Sequence, residues 1–248
     1  MRDPVQWFLA SCLSVLAFAC LATAGFRETS TVTGTVSLLR ANGSPRTDND
    51  TGIVIWLSPV SNQAAAATTN RSDSVRPKII QKNKRFETRL LAVPVGAVVD
   101  FPNHDPFFHN VFSLFDGKKF DLGLYEAGAT RSVTFNKAGV CYIFCNIHSQ
   151  MSAVVVVVDT PYFVKMNTAG EFRIPDLPAG RYQLNVWAER CSPETLKAAS
   201  RQVTAEGART ALGAIQLRES QDLITAHQNK LGQDYETPIF SSPIYAQP

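Results

Sequence analysis

The chain has 248 residues, of which 45% are hydrophobic and 18% are charged, a balance typical of folded globular proteins. This length suits one large domain or two modest ones. The net charge of +3 is too small to indicate a nucleic-acid-binding protein. The 4 histidines are too few for a multicopper oxidase or a multinuclear hydrolase.

The N-terminal segment differs in composition from the rest of the chain. No charged residue occurs between Val5 and Phe26, and the short segment before this run carries Arg2. An A-x-A pattern ends at Ala24, so we predict a signal peptide over residues 1–24, cleaved after Ala24, and a periplasmic or otherwise exported protein. An uncleaved membrane anchor is the alternative, because the apolar run is long enough to span a bilayer. Membrane association is expected only in that case.

Three cysteines remain after the predicted cleavage: Cys141, Cys145 and Cys191. An odd number in an oxidising compartment leaves at least one thiol unpaired, which a metal ligand would explain. Cys141 is interpreted as a buried structural thiol, with a Cys141–Cys191 disulfide as the alternative.

Short apolar runs separated by turn residues predict an all-β protein. The predicted strands are 31–39, 52–57, 78–81, 89–93, 98–101, 111–114, 131–135, 140–145 and 153–159, followed by a hairpin around 172–186. The continuous apolar run 153–158 predicts a strand that is covered on both faces. Residues 61–77 are predicted to be a flexible linker. The tail, 218–248, is predicted to hold a short helix near 219–231 and an extended end.

The sequence C-x2-H-x2-M, formed by Cys145, His148 and Met151, lies between two predicted strands, and His109 opens another strand upstream. One thiolate, two imidazoles and one thioether are the ligand set of a blue-copper site. The sulfur ligands accommodate Cu(I), and imidazole suits both oxidation states. Zinc also binds Cys and His, but it rarely takes a thioether. The pattern therefore favours copper.

The stretches FPNHDPFFHNVFSLF (101–115), GVCYIFCNIHSQM (139–151) and AVVVVVD (153–159) resemble the cupredoxins, with a ligand loop similar to that of amicyanin and strands similar to those of plastocyanin. The resemblance implies a Greek-key β-sandwich over 78–159. It also implies one type-1 copper held by His109, Cys145, His148 and Met151, with Asn110 tying the two ligand segments together.

The segments on either side, 31–57 and 167–186, resemble a carboxypeptidase-regulatory or transthyretin-like β-sandwich. We therefore predict that residues 25–60 and 160–217 form a second sandwich, into which the copper domain is inserted. The whole arrangement resembles exported bacterial proteins of the methylamine-utilisation or plastocyanin-like type.

The expected function is one-electron transfer by a carrier that is not an enzyme, with a cytochrome or a dehydrogenase as redox partner and no role for nucleic acid. Two alternatives stay open. One is a copper-binding or copper-delivery protein without a redox partner. The other is a carbohydrate-binding or structural module based on the second sandwich.

Two groups of residues near the predicted site are candidates for docking a partner. Lys82, Lys84 and Arg85 form a basic cluster that would attract an acidic partner, although a solvated strand face is the simpler interpretation. Phe107 and Phe108 precede His109 and would either shield the metal or present an apolar docking patch.

Overall fold

The structure is a computed structural model that describes residues 28–46, 52–60, 76–114, 117–166, 170–220 and 228–235. Within these ranges nearly every element is a β-strand, so the predicted all-β class is confirmed. The predicted signal peptide, most of the predicted linker and the end of the tail lie outside the described residues. Among the helices of the described residues, none has the length and apolar character needed to cross a membrane.

The strands are, in chain order, β1 (Thr29–Leu39), β2 (Ile53–Pro59), β3 (Gln81–Lys82), β4 (Arg85–Phe86), β5 (Leu90–Pro94), β6 (Ala97–Pro102), β7 (His109–Ser113), β8 (Phe120–Tyr125), β9 (Thr130–Phe135), β10 (Gly139–Cys145), β11 (Ser152–Val158), β12 (Phe163–Met166), β13 (Gly170–Pro178), β14 (Gly180–Ala188), β15 (Arg201–Ala205) and β16 (Arg209–Arg218). A single described helix, α1 (Pro193–Ala199), lies between β14 and β15. Ser192 caps this helix by accepting a hydrogen bond from the backbone of Thr195.

The two ends of the chain form one sandwich, here called the terminal sandwich. Its sheets have the orders β13-β1-β16 and β12-β2-β14-β15. Alternation explains the strands: in β14, Tyr182, Leu184 and Val186 point into the core, while the residues between them are more exposed. The core of this sandwich is built from β1 and β2 together with β13 to β16.

The middle of the chain forms the central sandwich. A five-stranded sheet with the order β5-β11-β10-β7-β8 is accompanied by the β6-β9 pair. Residues of both sheets share one hydrophobic core, to which β6 contributes Phe101, β9 contributes Phe135 and β10 contributes Ile143. The strand β11 runs antiparallel to β10 and parallel to β5, so it lies inside the sheet and not at an edge.

The strand β11 joins the two cores. Its odd-numbered residues Val155 and Val157 belong to the central core, whereas its even-numbered valines belong to a third cluster. That cluster consists of Val54 of β2, Trp187 of β14, Leu90 of β5 and Val154, Val156 and Val158 of β11. The prediction that this apolar run is covered on both faces is therefore confirmed.

Other sequence predictions were less accurate. In place of a strand at 78–81, Lys78 forms an isolated bridge with Asp100, and only Gln81 enters the short β3–β4 hairpin. The strands β8, β12, β15 and β16 and the helix α1 were not predicted. The predicted helix near 219–231 is wrong at its described ends, because Glu219 pairs with Cys191 in a bridge and Leu231 lies in a turn.

Cys141, Cys145 and Cys191 are all free and buried. Cys141 lies in the core of the central sandwich and Cys191 in the core of the terminal sandwich. The alternative of a disulfide between these two residues is therefore wrong for this structure, and both thiols instead fill core volume.

Candidate metal centre

Strand pairing brings the two sequence-predicted ligand segments together. The strands β7 and β10 are antiparallel neighbours, with Cys145 opposite Val111, so the start of β7 lies beside the end of β10. His109 is the first residue of β7, and Cys145 is the last residue of β10. The ring nitrogen Nδ1 of His109 consequently lies 3.7 Å from the sulfur of Cys145.

His148 joins His109 and Cys145 in a group of three side chains that are common metal ligands. Its Nδ1 lies 3.6 Å from the sulfur of Cys145, and its ring centroid lies 4.9 Å from that of His109. The donor atoms of His109, Cys145 and His148 all lie within 4.8 Å of one another. Three of the four side chains that the sequence motif singled out thus converge on one point.

Met151 is placed by a tightly closed loop. The backbone N–H of Met151 donates to the carbonyl of His148 at 3.1 Å, and the N–H of Cys145 donates to the carbonyl of Met151 at 3.2 Å. The side chain is fully buried in the same core as Cys145. These contacts place Met151 at the inner end of the loop, next to the residues that converge.

His109 is held from its far side by a residue that the sequence analysis did not single out. Its Nε2 lies 2.8 Å from Oδ2 of Asp105, and both side chains are buried. The Nε2 atom is therefore the N–H donor to the carboxylate, which leaves the lone pair of Nδ1 directed towards Cys145. The only sequence signal was an acid four residues before His109, which is too common to predict a contact.

The protonation states of His109 and Asp105 fit a hydrogen bond from the Nε2 proton of His109 to an ionised carboxylate. Burial lowers the pKa of His109, against the raising effect of Asp105, so the imidazole is neutral at pH 7. Burial would raise the pKa of the Asp105 carboxyl, but hydrogen bonds from the Lys84 backbone, His109 and the Asn83 backbone outweigh it and lower the pKa. A neutral imidazole with an ionised carboxylate behind it is a good metal ligand.

Burial also affects the protonation of the Cys145 thiol. It raises the pKa of Cys145, while backbone hydrogen bonds from Asn110, Ile147 and His148 to the sulfur act in the opposite direction. Those N–H groups stabilise negative charge on the sulfur. A metal cation beside the Cys145 sulfur would stabilise this negative charge further and so favour the thiolate, which is the form that binds metals.

His148 lies nearer the surface than His109. It is partly exposed, and its ring lies 5.8 Å from that of Phe107, which in turn lies 5.3 Å from the ring of His109. Burial, followed by the charges of His109 and Lys84, lowers the pKa of His148 to about 4. Both histidines are therefore neutral at pH 7, with nitrogen lone pairs available to a metal.

Asn110 connects the start of β7 to the loop that follows Cys145. Its carbonyl accepts a hydrogen bond of 3.3 Å from the N–H of Asn146, the residue after Cys145. Its side-chain amide donates to Asp121 at 2.5 Å. Its side-chain carbonyl oxygen is buried without a hydrogen-bond partner among the described residues.

A segment of the tail, residues 228–235, contacts the loop 145–151 and the strand β8. This segment is here called the strap, and the loop 145–151 is called the ligand loop. The backbone N–H of Lys230 donates to the side-chain oxygen of Asn146 at 2.9 Å, and the Lys230 ammonium group lies 2.7 Å from Asp121. The hydroxyl of Tyr235 donates to the carbonyl of Cys145 at 2.7 Å. No sequence pattern predicted a role for the strap, because nothing in a short polar turn indicates what it contacts.

The candidate docking residues lie beside the ligand group. Phe108 is 55% exposed, whereas Phe107 packs on the two histidine rings. The β3–β4 hairpin presents the exposed side chains of Lys82 and Arg85, and the ammonium group of Lys84 lies 5.4 Å above the ring of Phe107. The other histidine of this region, His104, is exposed.

The donor set suits a soft or borderline metal. It offers a thiol sulfur and two imidazole nitrogens, from two buried side chains and one partly exposed side chain, with a buried methionine in the same loop. Thiolate and imidazole ligands suit copper and zinc, whereas magnesium and calcium prefer oxygen ligands. A methionine at this place favours copper over zinc.

No known family model matches the chain, and no curated protein matches it. Several solved structures are similar to part of it. A copper-containing nitrite reductase from Thermus scotoductus is 23% identical over 35% of this chain and 23% of its own, with a TM-score of 0.33. A variant of amicyanin is 25% identical over 42% of this chain and 98% of its own, with a TM-score of 0.32. A purple cupredoxin from Nitrosopumilus maritimus is 24% identical over 33% of this chain and 99% of its own, with a TM-score of 0.30. The chain spans about a quarter of the nitrite reductase it matches.

Proposed function

We propose that this protein is an exported type-1 copper protein that carries single electrons between partners and is not an enzyme. The observation that carries the proposal is the convergence of two imidazole Nδ1 atoms on the sulfur of Cys145, at 3.7 and 3.6 Å. His109, Cys145, His148 and Met151 would hold one copper ion, which supplies a one-electron Cu(II)/Cu(I) couple when bound.

Each residue has a distinct task in this proposal. Cys145 supplies the thiolate, and its position at the end of β10 connects the site directly to the sheet. Fully buried His109 keeps water from the inner side, whereas partly exposed His148 offers the shorter route to a partner. The paired strands and the closed 145–151 loop hold the donors, so little rearrangement is expected when the charge of the site changes.

The surface beside His148 supports docking of a redox protein. It combines the exposed ring of Phe108 with basic residues of the β3–β4 hairpin, Lys82, Lys84 and Arg85. A cytochrome or dehydrogenase with an acidic surface around its redox centre fits this chemistry. Association with such a partner should weaken as ionic strength rises, since salt screens charges on exposed surfaces.

The two-sandwich arrangement supports the proposed domain division. In this proposal residues 78–159 form the copper domain and the terminal sandwich acts as its support. The valines of β11 pack against Val54 and Trp187, and Arg89 pairs with Glu189 at 2.9 Å. The long uncharged N-terminal run supports export to the periplasm.

The test is the absorption and EPR spectrum of the protein loaded with Cu(II), compared with Cys145→Ser and with Cys191→Ala as control. Cys191 lies in the core of the terminal sandwich and should not affect the site. We expect an intense thiolate-to-copper band with narrow copper hyperfine splitting in the wild-type protein and the control, and its loss in Cys145→Ser. A colourless wild-type protein, or a spectrum that is indifferent to Cys145, would overturn the proposal.

A second measurement separates electron transfer from copper delivery. A carrier retains copper while it exchanges electrons. Mixing the Cu(II)-loaded protein with a reduced small cytochrome should therefore reduce the copper within a second, while the copper stays bound. Rapid loss of copper to a weak chelator would contradict the carrier function and favour a delivery protein.

A further inference from the structure

A buried carboxylate lies behind one of the proposed ligands. Oδ2 of Asp105 lies 2.8 Å from Nε2 of His109, and the exposed fractions of the two side chains are 5% and 0%. On the other side of the same ring, Nδ1 lies 3.7 Å from the sulfur of Cys145. The imidazole of His109 therefore lies between the carboxylate and the point where the donors converge.

Hydrogen bonds keep this carboxylate ionised. Oδ1 of Asp105 accepts from the backbone N–H of Asn83 at 2.6 Å, and Oδ2 accepts from the backbone N–H of Lys84 at 2.9 Å. With the contact to His109, both oxygens face N–H donors. A carboxylate in this position is stabilised in its charged form, because a protonated carboxyl would direct its own proton against one of these donors.

The surrounding loop fixes the carboxylate in place. The backbone N–H of Asp105 donates to the side-chain oxygen of Asn103 at 3.0 Å. The amide nitrogen of Asn103, a fully buried residue, donates to the carbonyl of Phe107 at 2.8 Å and to that of Tyr125 at 3.3 Å. Asp105 is thus held from both its backbone and its side chain, and its contact with His109 does not depend on one flexible rotamer.

We propose that Asp105 is the positioning residue of the metal centre and that its charge sets the reduction potential. It orients His109 with the proton on Nε2 and the lone pair on Nδ1, towards Cys145. Its negative charge also makes the imidazole a stronger electron donor. A stronger donor favours Cu(II) over Cu(I), so the carboxylate lowers the reduction potential. This inference rests on the proposed copper site.

A structural role of Asp105 must be separated from its electrostatic role. The carboxylate also holds the turn of the β3–β4 hairpin, where Asn83 and Lys84 both have a φ of 55°. Asp105→Asn keeps the size of the side chain and removes its charge. The matched control is Asp100→Asn in β6, which removes a carboxylate that bonds Ser132 and pairs with Arg76.

The experiment measures the reduction potential of the copper-loaded wild-type protein, Asp105→Asn and Asp100→Asn by redox titration. Loss of an outer hydrogen-bond partner of a ligand changes metal affinity by about 10–100-fold. We expect Asp105→Asn to keep the type-1 band and to raise the potential. A tenfold change in the Cu(II)/Cu(I) affinity ratio corresponds to about 59 mV for one electron. Asp100→Asn should shift the potential much less.

Nitrogen-15 NMR of the copper-free wild-type protein is the second measurement. We expect the ring proton of His109 on Nε2, with a strongly deshielded resonance that moves upfield in Asp105→Asn. A wild-type proton on Nδ1 would overturn the inference, even if Asp105→Asn did not fold. Equal potentials in Asp105→Asn and Asp100→Asn, or a lower potential in Asp105→Asn, would also overturn it. Absence of a type-1 band in the wild-type protein would instead contradict the proposed function, and the NMR result would then decide the orientation of His109 separately.

Discussion

The hydroxyl of Tyr235 donates a hydrogen bond of 2.7 Å to the carbonyl oxygen of Cys145, although 90 positions separate the two residues in the chain. The strap therefore contacts the backbone of the proposed thiolate ligand through the side chain of Tyr235. A second contact, from the backbone of Lys230 to Asn146, joins the strap to the next residue of the ligand loop. The strap thus contacts the segment that would have to move for a metal bound at the proposed site to leave.

We expect Tyr235→Phe to release copper faster. One partly buried hydrogen bond of this kind contributes about 1 kcal/mol, which corresponds to about a fivefold change in the opening of the loop. The measurement is the decay of the thiolate-to-copper band after addition of excess chelator.

The control for this prediction is Tyr182→Phe. Its hydroxyl also donates to a backbone carbonyl, that of Pro178 at 2.8 Å, but in the terminal sandwich. We expect this variant to lose thermal stability and to release copper at the wild-type rate. Equal release rates in Tyr235→Phe and the wild-type protein would show that the strap does not restrain the ligand loop.

The two faces of β11 should respond differently to truncation. Val156 packs in the cluster that joins the two sandwiches, while Val155 packs in the core that contains Cys145. Each Val→Ala change should cost about 1–3 kcal/mol of unfolding free energy, because both side chains are buried and a cavity remains. Only Val155→Ala should also change the copper EPR spectrum. The check is denaturant unfolding together with EPR of both variants, and an altered spectrum in Val156→Ala alone would contradict the assignment of the two faces.

The sequence predicts the proximity of Cys145 and His148 because the two residues are close in the chain. Cys145, His148 and Met151 lie within seven residues, and only a tight loop after a strand brings such donors together. Placing His109 beside them required one pairing of strands, β7 with β10. Asp105 and Tyr235 were not predicted, since each acts through a contact that depends on a loop conformation with no periodic pattern.

In the fold as well, elements with a strong local sequence pattern were predicted and elements without one were missed. The strand β11 was predicted because a β-branched run gives a strong signal, and β14 because its apolar residues alternate. The strand β8 was missed because its residues show no regular alternation of burial and because it contains Gly123 with a φ of 68°. The helix α1 has only 7 residues, none of them buried, so it shows no apolar periodicity.

Cys141→Ala should leave the proposed metal ligands and the copper count unchanged. Cys141 lies on β10 opposite Val155 and is fully buried, but it is not among the three residues whose donor atoms converge. We expect one copper per chain and a retained thiolate-to-copper band, with a loss of about 1–2 kcal/mol in unfolding free energy. A changed copper count in Cys141→Ala would indicate a second sulfur ligand.

The copper-free protein should lose stability as the solution becomes acidic. The folded-state pKa of His148 is about 4, below its ordinary value of 6.5, because burial and the nearby charges of His109 and Lys84 disfavour the imidazolium. The unfolded chain therefore binds the proton first as pH falls. The stability linked to His148 is fully present above about pH 6.5 and is lost progressively between about pH 6.5 and 4.

Thermal unfolding of the copper-free wild-type protein and His148→Asn at pH 7 and pH 5 measures this effect. The wild-type melting temperature should fall more between the two pH values than that of His148→Asn, which has lost the titrating ring but keeps Asp105 and His109. Subtraction of the two shifts removes the contribution of groups that do not interact with His148, including the carboxylates that titrate below pH 5. Equal shifts in both proteins would mean that His148 takes up its proton as readily in the folded chain as in the unfolded one, and its ring would then have to be more open to solvent than the contact with Phe107 allows.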